Sequence, residues 1–259
     1  MQSNLLPATS LGASITAPEP GIWRLTIPPG PRGSYRLAQL SDYSHQKRAD
    51  FSWRPPRTIR LEARISHSNL PGTWGFGLWN DPFSLSVGFG GGTRRFPAGP
   101  NAAWFFYASP ENDLSFRNDK PAHGFLAQTF RSPQIPTPLL ALGALGLPLF
   151  AWPGLARQLR SGLSNIISED SHTGLRHTPV GHPSAELEWH QYQIQWVRDR
   201  VTFQVDDQTF ETPLTPNGPL GLVIWIDNQF AAFPPDGRLS YGTLPFSEAA
   251  WLEIRNCEC

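Results

Sequence analysis

The chain of 259 residues carries 21 basic and 21 acidic side chains and no net charge, which argues against the clustered basic surface of a nucleic-acid-binding protein. Two cysteines exclude a disulfide-built scaffold, and ten tryptophans within an aromatic content of 12% argue against wholesale disorder.

Residues 1–20 are polar, contain proline, and are expected to form a flexible arm ahead of one domain spanning 21–256. The opening MQSNLLPATS has neither a basic n-region nor an apolar h-region, so a cytoplasmic location is expected. Short runs of period-two alternation follow, bounded by Gly, Pro, Asn and Asp, which is the pattern of half-buried strands. Ile22–Ile27, Ser34–Leu40 and Thr58–Ile65 come first; in the third, Ile59, Leu61, Ala63 and Ile65 share one face, and Arg60, Glu62 and Arg64 form either a solvated outer row or a polar ladder. Trp74–Trp79, Ala102–Ala108, Leu114–Arg117 and Phe125–Phe130 are the next strands, with a Gly-rich stretch at Gly88–Gly92.

From Ile135 to Ala156 the chain runs 22 residues without a charge, long enough in principle to cross a bilayer. Pro136, Pro138, Pro148 and Pro153 argue against one unbroken spanning helix, because each interior proline removes a backbone bond. The segment is read as short helices within an apolar insertion at about 131–187 that lies over a hydrophobic surface; a partner contact, or a membrane-surface contact through 139–156, is the weaker alternative. A polar loop with His172, His177 and His182 follows, and His190 lies further on. No HExxH or His–carboxylate pairing accompanies these histidines, and neither a metal nor a cofactor is expected. The alternation resumes at Gln191–Val197, Val201–Val205, Thr209–Thr212, Leu220–Asn228 and Ala250–Ile254, and Cys257-Glu-Cys259 reads as a frayed tail.

Two blocks carry a resemblance. RTIRLEARISHSNLPGTWGFGLWNDP (57–82) resembles the groove-forming segment of family-16 glycoside hydrolases, and EWHQYQIQWVRDRVTFQVDDQTF (188–210) with PLGLVIWIDNQF (219–230) resembles the W-x-x-Y-x-I-x-W run of the same concanavalin A-like lectin and glucanase superfamily. The resemblance implies an all-β fold, a concanavalin A-like β-sandwich or jelly roll whose concave sheet carries a ligand groove. The family's hydrolases place Glu-x-Asp-x-Glu on a strand shortly after the Trp-rich one, because retaining chemistry needs two carboxyls about 5–5.5 Å apart. The strand in that place here, Asn101–Ser109, contains no acid, so glycoside hydrolysis by that mechanism is not expected.

What replaces the acids is aromatic. Either Ala102, Trp104 and Phe106 or Ala103, Phe105 and Tyr107 face the groove, depending on register. Trp79 shares its face with Gly75 and Gly77, which leave room beside it, and Trp225 lies opposite the aliphatic face of its own strand. Asp227 and Asn228 either hydrogen-bond a hydroxylated ligand or cap the strand end in an Asx turn. The candidate ligand-binding set is therefore Trp79, Trp104, Phe106, Trp225, Asp227 and Asn228. Three functions follow from it: a lectin-like domain holding a saccharide or other small ligand, an enzyme acting on an apolar substrate in a lidded pocket, and an interaction protein that docks a partner through its insertion.

Overall fold

A computed structural model describes residues 5–10, 12–82, 98–134, 153–175 and 188–258. In chain order the strands are β1 (Leu6–Thr9), β2 (Ser14–Thr16), β3 (Ile22–Ile27), β4 (Leu37–Ser41), β5 (Arg57–Ile65), β6 (Thr73–Trp79), β7 (Ala102–Ala108) and β8 (Gly124–Arg131). The helix α1 (Pro153–Ile166) follows, then β9 (Ser168–His172), β10 (His190–Trp196), β11 (Val201–Val205), β12 (Gln208–Thr212), β13 (Gly221–Asp227), β14 (Gln229–Ala232), β15 (Ser240–Thr243) and β16 (Ala250–Glu258).

These strands make two seven-stranded antiparallel sheets and one small hairpin. Sheet one runs β1-β4-β13-β6-β7-β8-β9, sheet two runs β12-β11-β10-β5-β16-β3-β2, and β14 pairs with β15. Consecutive strands are often not neighbours; β13, for example, lies between β4 and β6. The expected class, an all-β concanavalin A-like β-sandwich of the jelly-roll kind, is what the two sheets form.

Period-two alternation explains the layering, since successive side chains of a strand point to opposite faces. Ile59, Leu61 and Ala63 of β5 join Tyr192, Ile194 and Trp196 of β10 in the core, where they meet Trp74, Phe76 and Leu78 of β6 and Phe105 of β7 from the other sheet. The rings interlock there: Phe105 stacks on Phe125 at 5.8 Å, and Tyr192 meets Phe76 edge-on at 4.9 Å. Aromatic pairs of this kind add stabilisation beyond the area they bury.

Several sequence expectations are corrected by pairing partners that lie far along the chain. Residues 6–9 and 14–16, expected in a loose arm, are short edge strands held to β4 and β3 by backbone bonds, which leave little side-chain pattern. Leu114–Arg117 is not a strand: the Ser115 hydroxyl accepts from the Arg117 N–H at 3.0 Å, a local turn that competes with a ladder. Ser168–His172, read as loop, is the edge strand β9; both of its faces carry polar residues, so no alternation marks it. The tail is also misread, because β16 continues through Glu258 and Cys257 packs against the core. Within the expected insertion, α1 forms over 153–166. The glycine stretch 88–92, residues 135–152, His177 and His182 lie outside the described residues.

Candidate functional site

The site is built on the face of sheet one that points away from the core. Register fixes its composition row by row. One row runs Gln39 (β4), Trp225 (β13), Gly75 (β6), Phe106 (β7) and Leu126 (β8). The adjacent row runs Ser41, Val223, Gly77, Trp104, Gln128 and, on β9, Ser171. The next runs Gly221, Trp79, Ala102, Phe130 and Glu169. The register left open by the sequence is thereby decided: Ala102, Trp104 and Phe106 face outward, while Ala103, Phe105 and Tyr107 enter the core.

Four of the expected site residues meet in one cluster with Trp104 at its hub. Trp104 lies 5.7 Å from Trp79, 5.5 Å from Trp225 and 5.4 Å from Phe106, whose ring it stacks upon at 18°. Phe106 and Trp225 are 5.6 Å apart. The glycines of β6 make this possible. A β-carbon at Gly75 would collide with the Phe105 carbonyl and would sit 2.7 Å from the Trp225 ring. At Gly77 it would meet the Trp104 backbone. Phe106 and Trp225 are only 6% and 8% exposed and form the floor, whereas Trp79 and Trp104 are half-buried and present ring surface.

Each indole N–H of the cluster has a protein partner. Trp79 donates to the Tyr43 hydroxyl, Trp104 donates to Gln128 Oε1 at 2.9 Å, and Trp225 donates to Thr73 Oγ1 at 3.0 Å. Polar anchors thus lock the ring orientations and leave the faces for stacking. The three partners, Tyr43, Gln128 and Thr73, were not singled out from sequence. Gln128 alone leaves a trace there, as the polar residue between Leu126 and Phe130 on the outward side of its strand.

Two carboxyls lie at the margins of this face. Asp227 accepts a 2.7 Å hydrogen bond from Thr73 Oγ1 and one from the Gln229 N–H; burial nevertheless pushes its pKa up to about 7. Its charge and local burial also raise the Tyr35 hydroxyl, burial being the larger cause. Glu169, only 3% exposed, accepts from the Phe116 N–H at 2.8 Å, the Ser171 hydroxyl at 2.9 Å and the Gln128 amide at 3.3 Å. Burial raises its pKa as well, against the lowering effect of those donors. No signal in the sequence separates Glu169 from its polar surroundings.

The two carboxyls are not a catalytic pair. Asp227 faces Thr73, which faces Ala108, whereas Glu169 faces Phe130, which faces Ala102. Ala102 and Ala108 are six residues apart on β7, roughly 20 Å along the strand, while glycosidase pairs require about 5–9.5 Å. Asp227 acts within the Thr73–Trp225 linkage. Asn228 has a wholly structural role: it is 0% exposed, its Oδ1 accepts from the Arg36 N–H at 2.8 Å, and its Nδ2 donates to the carbonyls of Ser34 and Leu244. Its expected part in ligand binding is corrected on that ground, since neither end of the amide is left for a ligand.

α1 closes one side of the face. Leu163 and the adjoining Ile167 pack with Ala102, Phe130 and Phe116 beside Trp79 and Trp104. Among the described residues no group of three or more His, Cys, Asp or Glu is placed to hold a metal, and no helix is long and apolar enough to cross a membrane. Of the other histidines considered, His172 stacks on Phe210 at 4.4 Å and His190 binds Asp206 at 2.8 Å.

No protein-family model matches the sequence, and no curated protein matches it significantly. Solved structures do match over nearly the whole chain. A family-16 glycoside hydrolase from the mixed-linkage glucan locus of Bacteroides ovatus, solved with a G4G4G3G product, is 10% identical, with 98% of this chain and 93% of that one covered at a TM-score of 0.48. The β-glucanase of Bacillus licheniformis is 10% identical, covering 98% and 91% at 0.44. A legume lectin-like domain from Entamoeba histolytica is 8% identical, covering 96% and 88% at 0.45. Likenesses at this level do not define a site or an activity; the fold class stands on the two sheets, and the chain is a concanavalin A-like β-sandwich whose sheet one has an aromatic outer face.

Proposed function

We propose that the protein is a lectin-like binding domain that holds a saccharide on the outer face of sheet one, with Trp104 and Trp79 as stacking platforms over a floor of Phe106 and Trp225. The observation that carries this reading is the ring cluster itself, four aromatic side chains within 5.4–5.7 Å contacts on a face turned away from the core. Aromatic faces bury the apolar C–H side of a sugar ring, and flanking polar groups meet its hydroxyls. Gln39, half-buried in the same row as Trp225 and Phe106, supplies such a group. Binding without hydrolysis is part of the proposal, supported by the acid-free outward positions of β7.

Calorimetric titration with a panel of neutral oligosaccharides tests the reading. Saturable binding by the native chain is expected, weakened at least about tenfold in Trp104→Ala, a loss on the scale of one desolvated aromatic contact. Release of reducing ends during the titration would replace binding by hydrolysis. A second reading, an enzyme acting on an apolar ligand, draws on the buried carboxyl of Glu169 beside that face. It requires a turnover that Glu169→Gln abolishes while ligand affinity is retained.

A further inference from the structure

A cleft of about 410 Å³ opens between α1, the 116–119 segment that leads from β7 to β8, and Pro235 beyond β14. It shares Phe116 with the apolar cluster under α1 and is otherwise distinct from the aromatic face. Its volume falls within the range of small-molecule sites, roughly 300–1,000 Å³. Its lining differs from that of the tryptophan face: Arg117, Arg157 and Arg160, the amides of Asn118 and Asn165, and the hydroxyls of Ser161 and Ser164.

The walls are tied together from within. Arg160, 4% exposed, donates to the Ser115 carbonyl and to Asn118 Oδ1 at 3.1 Å, and its guanidinium lies 5.7 Å from the Phe233 ring centre. One side chain thereby joins helix, loop and the segment after β14. Asp119 is the one acid among the described lining residues, and it is held by two hydrogen bonds from Arg117. The half-buried carboxyl of Asp113 also interacts electrostatically with Arg160. Arg157 has no such counterpart in the lining. It stands one helical turn before Ser161 and two before Ser164 and Asn165, on an exposed stretch of α1. A guanidinium grips a carboxylate through two parallel N–H donors, and the hydroxyls and amides along the same side of the helix match the hydroxyls of a ring.

We infer that this cleft is a second ligand site, for a sugar acid of hexuronate size, with Arg157 receiving the carboxylate and Ser161, Asn165 and Asn118 the ring hydroxyls. The inference is independent of the saccharide reading of sheet one. The test is calorimetric titration of the full chain with D-glucuronate and D-galacturonate, beside D-glucose, D-galactose and sodium sulfate at constant ionic strength. At least one sugar acid binds saturably, with the neutral hexoses and sulfate at least about tenfold weaker. Arg157→Ala and Asn165→Ala each weaken that binding, the former by about tenfold or more, Arg157→Lys recovers part of it, and Trp251→Ala on the outer face of sheet two leaves it unchanged. Absence of saturable binding by both acids overturns the inference. So does sulfate matching them, or an Arg157→Ala chain that binds as the native one does.

Discussion

The outer faces of the two sheets obey the same alternation and carry opposite chemistry. On sheet two the outward residues neutralise one another. Glu253, 1% exposed, accepts from Arg24 and from Arg64 at 2.6 Å each, Glu62 takes Arg255 and Asn256, and Arg60 donates to Gln193. The tryptophans of that face are covered by these guanidiniums: Arg255 lies 4.2 Å and Arg64 4.6 Å from the Trp189 ring centre, and Arg24 lies 5.0 Å from that of Trp251. On sheet one the tryptophans meet each other, and no arginine covers them among the described residues. A tryptophan on an outer face is therefore not by itself a binding feature. The cluster on sheet one stands out because its polar partners lie beside the rings, leaving ring surface to be met by something else, as contiguous apolar patches on soluble proteins generally are.

The largest expected contrast is in folding. Trp225→Ala removes a buried ring packed on two others and is expected to cost about 3–5 kcal/mol in chemical denaturation. Trp251→Ala removes a partly exposed ring held by arginines and is expected to cost about 1 kcal/mol. Equal losses would erase the distinction between the two faces.

A smaller contrast is in pH dependence. Asp227 is raised from an ordinary 3.8 to about 7, so between those values the folded chain holds a proton that the unfolded chain releases. Stability from this group is fully present below about pH 4 and falls as pH rises toward 7, by at most about 1.4 kcal/mol per pH unit. Glu169, also raised by burial, acts in the same direction. Asp227→Asn is expected to flatten the fall, as measured by denaturation midpoints across that range; an unchanged slope would assign it elsewhere. On sheet two, Glu253→Gln is expected to cost only about 1–2 kcal/mol, because Arg24 and Arg64 are 38% and 28% exposed and water screens what is lost. The loss should shrink in high salt.

The comparison also shows what the sequence makes legible. The aromatic face is legible in part: Trp79 shares its side of β6 with Gly75 and Gly77, which mark the space for rings from neighbouring strands, whereas the side on which Trp104 falls is open until β7 is paired with β6. The strands of both sheet centres follow for the same reason. Residues whose role depends on a distant partner do not. Asp227-Asn228 reads equally as ligand group or cap until Ser34, Arg36 and Leu244 converge on Asn228. Glu169 sits in a stretch that is polar on both faces, and only its pairing with β8 brings it to Gln128, the hydrogen-bond partner of Trp104. β1 and β2 are held by backbone pairing to β4 and β3, with Ile15 as the one side chain of β2 packed on the core.

The most direct test of the central claim, that the aromatic face of sheet one is a saccharide-binding surface, is a glycan array probed with the native chain, Trp104→Ala and Trp251→Ala in parallel. The account predicts a defined set of bound glycans for the native chain and for Trp251→Ala, and loss of that set for Trp104→Ala. Binding that survives Trp104→Ala unchanged, or a native chain that binds no glycan, would contradict it.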